Sequence, residues 1–169
     1  MVVVLMHDCL TDYFAFHSLA DMDSLHRKTI LIVEDNQEDF AAFKRVLTLN
    51  HLPYPVVRCE DGDDALDYLR RRGQYTERTY PMPALILLDL NLPGTDGRTV
   101  LETVKKEASL QSIPIVVFST SSNPKDIDDC YRMGVNNYLV KPINYTDLEA
   151  KVRLLVHYWL DVSALPQLT

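Results

Sequence analysis

The stretch Ala84-Leu85-Ile86-Leu87-Leu88-Asp89-Leu90-Asn91-Leu92-Pro93-Gly94 decides how the rest of the chain is read. It opens as a continuous apolar run and stops abruptly at a carboxylate. A short apolar run closed by a turn signal reads as a strand buried on both faces, as in the middle of a parallel sheet. Asp89 is then expected as the last residue of that strand, facing out beyond the sheet edge. Open α/β sheets bind ligands at the carboxyl ends of their strands. An acid placed there is a candidate for chemistry; the other reading is an Asp that merely opens the turn before Pro93-Gly94.

Four further stretches read as strands. Thr29-Ile30-Leu31-Ile32-Val33 also ends in acids, Glu34-Asp35. Pro55 to Cys59 is a short strand. Pro114 to Phe118 ends in the hydroxyls Ser119 to Ser122, and Tyr138-Leu139-Val140 ends in Lys141-Pro142. Helical patterns separate them. Asn36 with Glu38-Asp39 supplies cap and first-turn chemistry for a helix fading near Asn50-His51. Asp63 or Asp64 starts the next, with Arg70-Arg71-Arg72 as a solvated basic end and Gly73 as its stop. Asp96-Gly97 opens a third, Asn123-Pro124 a fourth that stops at Gly134, and Asn144 or Thr146 a last one. That last helix buries Leu148, Val152, Leu155, Val156 and Trp159. Strand and helix alternate five times, which implies βαβ units and a parallel sheet with helices on both faces.

At 169 residues one domain is expected, and a chain of that size buries roughly 70% of its unfolded surface without a staple. The net charge of −7 argues against sequence-independent nucleic-acid binding, which needs a basic face. No apolar run approaches the ~20 residues of a membrane span. Cys9, Cys59 and Cys130 show neither disulfide nor metal spacing and read as buried thiols in a reducing cytoplasm. Residues 1–27 form an acidic extension, with no Lys or Arg before Arg27 and no signal or transit pattern. It is either a disordered or packed appendage or the result of a mis-assigned start, translation beginning at Met22. Residues 28–160 are the expected domain and 161–169 a tail.

Parallel strands share a direction, so Glu34, Asp35, Asp89, Ser119 and Lys141 fall on one rim. Two carboxylates ~4 Å apart repel by about 4 kcal/mol at an effective dielectric of ~20. Three are not all ionised there without a cation. Oxygen-only ligands favour Mg²⁺ over zinc. With Lys141 as a positive point charge and Ser119 as a hydroxyl donor, the set describes in-line phosphoryl transfer to Asp89. A magnesium-dependent aspartyl-phosphate phosphohydrolase and a phosphorylation-independent interaction module are the alternatives. The first usually carries an Asp-x-Asp pattern on its first strand, where this chain has Glu34-Asp35-Asn36.

The motifs Ile32-Val33-Glu34-Asp35-Asn36, Leu87-Leu88-Asp89 through Asp96-Gly97, Phe118-Ser119-Thr120 and Tyr138-Leu139-Val140-Lys141-Pro142 together resemble the receiver domain of two-component response regulators. The resemblance implies the flavodoxin-like (CheY-like) doubly wound α/β fold, a five-stranded parallel sheet in order 2-1-3-4-5. It implies that Asp89 accepts phosphate from a sensor histidine kinase, and that Glu34, Asp35, Asp89 and the backbone carbonyl of Asn91 hold Mg²⁺. Lys141 would contact the phosphoryl group, Ser119 and Tyr138 would form the switch pair, and Asn91 and Ser121 would tune dephosphorylation. The loop from Gly73-Gln74-Tyr75 to Pro81-Met82-Pro83, with Asp96-Gly97-Arg98, is similar to single-domain regulators paired with cyanobacterial phytochromes, which lack an output domain. A phytochrome-type kinase partner follows as an expectation. A second apolar line on the last helix, Ala150, Leu154 and Tyr158, suggests a homodimer; the alternative is that the tail folds over that line.

Overall fold

In the computed structural model, residues 28–77 and 82–166 are described. The extension 1–27, its possible start at Met22, and Tyr80-Pro81 of the proline-rich loop lie outside them. Five strands, β1 (Ile30–Val33), β2 (Val56–Cys59), β3 (Leu85–Leu88), β4 (Ile115–Ser119) and β5 (Asn137–Val140), alternate with helices α1 (Gln37–Leu49), α2 (Gly62–Arg70), α3 (Gly97–Lys106), α4 (Pro124–Arg132) and α5 (Tyr145–Val156). All strand pairs are parallel, and the order is β2-β1-β3-β4-β5. The parallel sheet is the one expected from the alternation, and its doubly wound order is the one the resemblance implies.

Period-two alternation along the strands feeds two cores. Leu31, Val33, Ile86, Leu88, Ile115 and Val117 pack with Tyr68 and Leu69 of α2, Val100, Leu101 and Val104 of α3 and Cys130 of α4. Ile30, Ile32, Leu85, Leu87 and Val116 pack on the other side with Phe43, Val46 and Leu47 of α1 and Val152, Leu155 and Val156 of α5. Every residue of β1 and β3 is buried, which is why these strands read as unbroken apolar runs rather than alternating ones. Cys59 and Cys130 are free and buried, as read, and Cys9 lies outside the described residues.

Helix starts follow the side-chain caps, with two shifts from expectation. Asn36, Asp96, Asn123 and Asn144 each accept a backbone N–H of the first turn. The α2 cap, however, is Asp61, whose side chain accepts from Asp64 N–H, so the helix begins at Gly62 ahead of Asp63 and Asp64. Its stop also comes early. Arg71 itself takes the left-handed conformation at φ 54°, and Gly73, also at positive φ, opens a short 3₁₀ turn instead. Nor is the basic triplet only a solvated end. Arg70 forks onto Glu107 with Nε at 2.9 Å and Nη2 at 2.8 Å, tying α2 to the residue after α3.

The last helix does not stop at Val156. It widens into a π-helical turn, His157–Val162, that buries Leu160. Tyr54 OH donates to Asp161, and Leu165 packs against the α1/α5 core. Ala150, Leu154 and Tyr158 remain exposed, so the described part of the tail does not cover them.

Candidate functional site

Strand register sets the site. Val33 of β1 is level with Leu88 of β3, which is level with Val117 of β4; Ser119 is level with Val140 of β5. The residues that follow, Glu34, Asp89 and Lys141, therefore emerge together on one rim, with neighbouring strands ~4.8 Å apart. Asp89 is not the final residue of β3 but the first beyond it. Its N–H nevertheless donates to Val33 O at 3.0 Å, which extends the ladder one step and fixes the carboxylate at the edge.

Glu34 and Asp89 are 4% and 6% exposed. Between them lies the ammonium of Lys141, whose Nζ donates to Glu34 Oε2 at 2.6 Å, Asp89 Oδ2 at 2.6 Å and Asp39 Oδ2 at 2.8 Å. Burial alone would lower the Lys141 pKa. Hydrogen bonds to Asp39, Asp89 and Glu34 more than offset it, and the ammonium is held well above its ordinary value. The Glu34 carboxyl is pushed upward, first by burial and then by the charges of Asp89 and Asp39, against the pull of Lys141.

Asp35 is exposed beside them. One carboxylate oxygen from each of Glu34, Asp35 and Asp89 lies within 4.8 Å of the other two. Three converging oxygen donors without His or Cys suit a hard divalent cation. The remaining Asp89 oxygen, Oδ1, accepts from Asn91 N–H at 3.1 Å, which turns the chain so that Asn91 follows the acid around the rim.

Ser119 is fully buried at the end of β4, and Lys141 N–H donates to its carbonyl at 2.8 Å. Ser121 links several groups: its N–H donates to Ser119 Oγ at 3.5 Å, its carbonyl accepts from Tyr138 OH at 2.9 Å, and its hydroxyl donates to Asp126 at 2.6 Å and accepts from Asn123 N–H at 3.3 Å. Tyr138 is accordingly turned inward and buried. Asp126 also meets Arg98 Nη2 at 3.0 Å. Hydrogen bonds from Ser121 and Arg98 hold its carboxyl below the usual range.

Two contributors escaped the sequence reading. Asp39 reads as a first-turn helix acid, which it is, but it sits one turn after Asp35 and its carboxylate reaches Lys141. Arg58 reads as a strand residue, yet its guanidinium lies against the Glu34-Asp35 turn. For Asp39 the signal available was the one-turn spacing from Asp35. Arg58 gave none, because its contact depends on the β1–β2 pairing.

Comparisons with known proteins agree with this geometry. The family model described as response regulator receiver domain matches residues 30–153. The response regulator Rcp1 of Synechocystis sp. is 40% identical over 139 residues, which span 82% of this chain and 93% of that protein. The crystal structure of the phosphorylated cyanobacterial phytochrome response regulator RcpA superposes with a TM-score of 0.78 at 41% identity, covering 83% of this chain and 99% of that one. The Mn²⁺-bound form of Rcp1 gives 0.77 at 39% identity, with 83% and 99% covered. No helix among the described residues is long and apolar enough to cross a membrane. With the family model covering most of the chain and the acid–lysine rim in place, this protein belongs to the response regulator receiver domain family.

Proposed function

We propose that this protein is the phosphoryl acceptor of a two-component relay, taking the group onto Asp89 from the phosphohistidine of a phytochrome-type sensor kinase in a Mg²⁺-dependent step. The observation that carries this is the Lys141 ammonium, 2.6 Å from both Asp89 and Glu34, with Asp35 completing a three-carboxylate set. The phytochrome assignment rests on the likeness to Rcp1 and RcpA.

In the transfer, an Asp89 carboxylate oxygen forms a bond to phosphorus as the phosphorus–nitrogen bond breaks in line. The electron pair leaves with the histidine ring nitrogen. The chemistry is mostly positioning and charge compensation. Glu34, Asp35, Asp89 and the Asn91 carbonyl are the residues that would hold Mg²⁺, which supplies positive charge against the phosphoryl oxygens when bound. Lys141 exchanges its hydrogen bond to Asp89 for one to a phosphoryl oxygen. Ser119 donates its hydroxyl to another and reports occupancy to Tyr138 through the Ser121 segment. Asn91 and Ser121 set access of the hydrolytic water, and with it the rate at which the protein sheds its phosphate.

Residues 28–160 form the receiver, acting in the cytoplasm. Two copies associate through Ala150, Leu154 and Tyr158. The test is labelling by phosphoramidate with and without Mg²⁺. Wild type is labelled only with the metal, and Asp89→Asn is not labelled; persistent labelling of Asp89→Asn would overturn the acceptor assignment. Phosphotransfer profiling then separates kinases: a phytochrome kinase is expected to load the protein faster than unrelated kinases, and equal rates would remove the phytochrome part.

A further inference from the structure

We infer that Arg58 is a positioning residue for the divalent-cation site, acting through the backbone of the two acids that follow β1. The inference rests on the reading of Glu34, Asp35 and Asp89 as metal ligands. Arg58 lies on β2 opposite Ile32. Its Nε donates to Glu34 O at 3.0 Å and its Nη2 to Asp35 O at 2.8 Å, so one planar group grips two successive carbonyls. Nη1 reaches Gln37 Oε1 in the first turn of α1. The guanidinium carbon sits 4.9 Å from the centre of the Phe40 ring, and the side chain is 13% exposed.

The turn it grips is otherwise held at its two ends. Glu34 N–H donates to Cys59 O at 3.0 Å, and Asn36 caps α1. Between those points Asp35 is exposed, and the direction of its carboxylate follows from the local backbone. The Glu34 carboxylate is already held by Lys141 Nζ at 2.6 Å and Asn36 N–H at 3.2 Å, so locking the Glu34 and Asp35 carbonyls acts chiefly on where the Asp35 carboxylate points. A preset donor set loses less freedom on taking up the cation.

A bare positive charge at this place would oppose a second cation. Glu60 Oε1, 2.8 Å from Nη1, offsets part of that charge. The clamp and the charge effect predict opposite outcomes on substitution. Arg58→Met keeps the apolar stem on Phe40 and removes both the fork and the charge. Arg58→Lys keeps the stem and charge and removes the fork.

The experiment is Mn²⁺ titration followed by electron paramagnetic resonance, with Mg²⁺ competition, on the full chain and both variants. Thermal unfolding in EDTA is measured alongside. Each variant is expected to weaken Mn²⁺ binding about ten-fold; the melting temperature in EDTA falls with the lost hydrogen bonds, and binding is measured well below it, where each variant is folded. In phosphoramidate labelling, the half-saturating Mg²⁺ concentration rises by the same factor and the rate at saturating Mg²⁺ is retained. Unchanged affinity in both variants overturns the proposal, as does tighter binding in Arg58→Met with Arg58→Lys unchanged. If Arg58→Met does not fold, Arg58→Lys decides alone. Absence of Mn²⁺ binding by the wild type would overturn the metal-site reading itself, a result distinct from either.

Discussion

Lys141 is the residue on which the site's electrostatics turn. It neutralises two acids that are almost wholly removed from water, Glu34 and Asp89. Removing one partner of a buried ionic group costs about 3–5 kcal/mol, because the charges left behind have lost their compensation. Lys141→Met is expected to lose stability of that order in EDTA, read from urea unfolding, and to regain part of it with Mg²⁺ through linkage to the bound cation. Asp126 offers a second test at this scale. Its folded pKa is depressed by Ser121 and Arg98, so its contribution is present above the unfolded carboxyl value and is lost as pH falls through the folded one. Asp126→Asn should therefore differ from wild type in melting temperature near neutral pH, and the difference should shrink as pH drops from about 5 towards about 2. A constant offset over that range would assign the loss to packing instead.

Among the elements, α3 meets the end of β3 at very close range. A Cβ on Gly97 would lie 2.1 Å from Asp89 O and 2.8 Å from Leu90 Cα, so the first turn of α3 rests directly on the backbone that carries the acceptor. Gly97→Ala is expected to destabilise by about 1–3 kcal/mol and to slow phosphoramidate labelling as well, because the backbone that must yield is that of Asp89. A fall in melting temperature with normal labelling would show that α3 moves instead of β3. The strand ends were legible in the sequence because β1, β3 and β4 are apolar enough to mark their own boundaries, with Glu34, Asp89 and Ser119 where those runs break, and Lys141 directly follows the shorter run of β5. The caps of α1, α3, α4 and α5 were legible too, since Asn and Asp bond their own helix locally, whereas that of α2 was Asp61 and not the expected Asp63 or Asp64. Asp39 and Arg58 were not legible. Asp39 meets Lys141 across 102 positions and Arg58 meets the Glu34 carbonyl across 24; the first contact depends on how α1 lies against the end of β5, the second on the pairing of β2 with β1. The early stop of α2 at Arg71 was hidden for another reason: a non-glycine residue takes the left-handed conformation where Gly73 was available two positions on.

For the whole molecule, the open question is what meets the outer face of the C-terminal helix. Leu154, Tyr158 and Val162 are 70%, 55% and 63% exposed, a concentration of apolar surface that the monomer does not use. Leu154→Glu is expected to convert a dimer to a monomer in sedimentation equilibrium at micromolar concentration and to leave the melting temperature close to wild type; a monomeric wild type would refute the association. The π-helical turn from His157 to Val162 bears on the geometry of that contact. In an α-helix, a step of four residues overshoots one turn by about 40°, so a line of side chains spaced by four winds around the axis and soon leaves any flat partner. The wider π turn undershoots and winds the line back. The two kinds of turn in succession offset each other's drift, so the exposed side chains of Leu154, Tyr158 and Val162 wind about the axis less than the same spacing would along an unbroken α-helix.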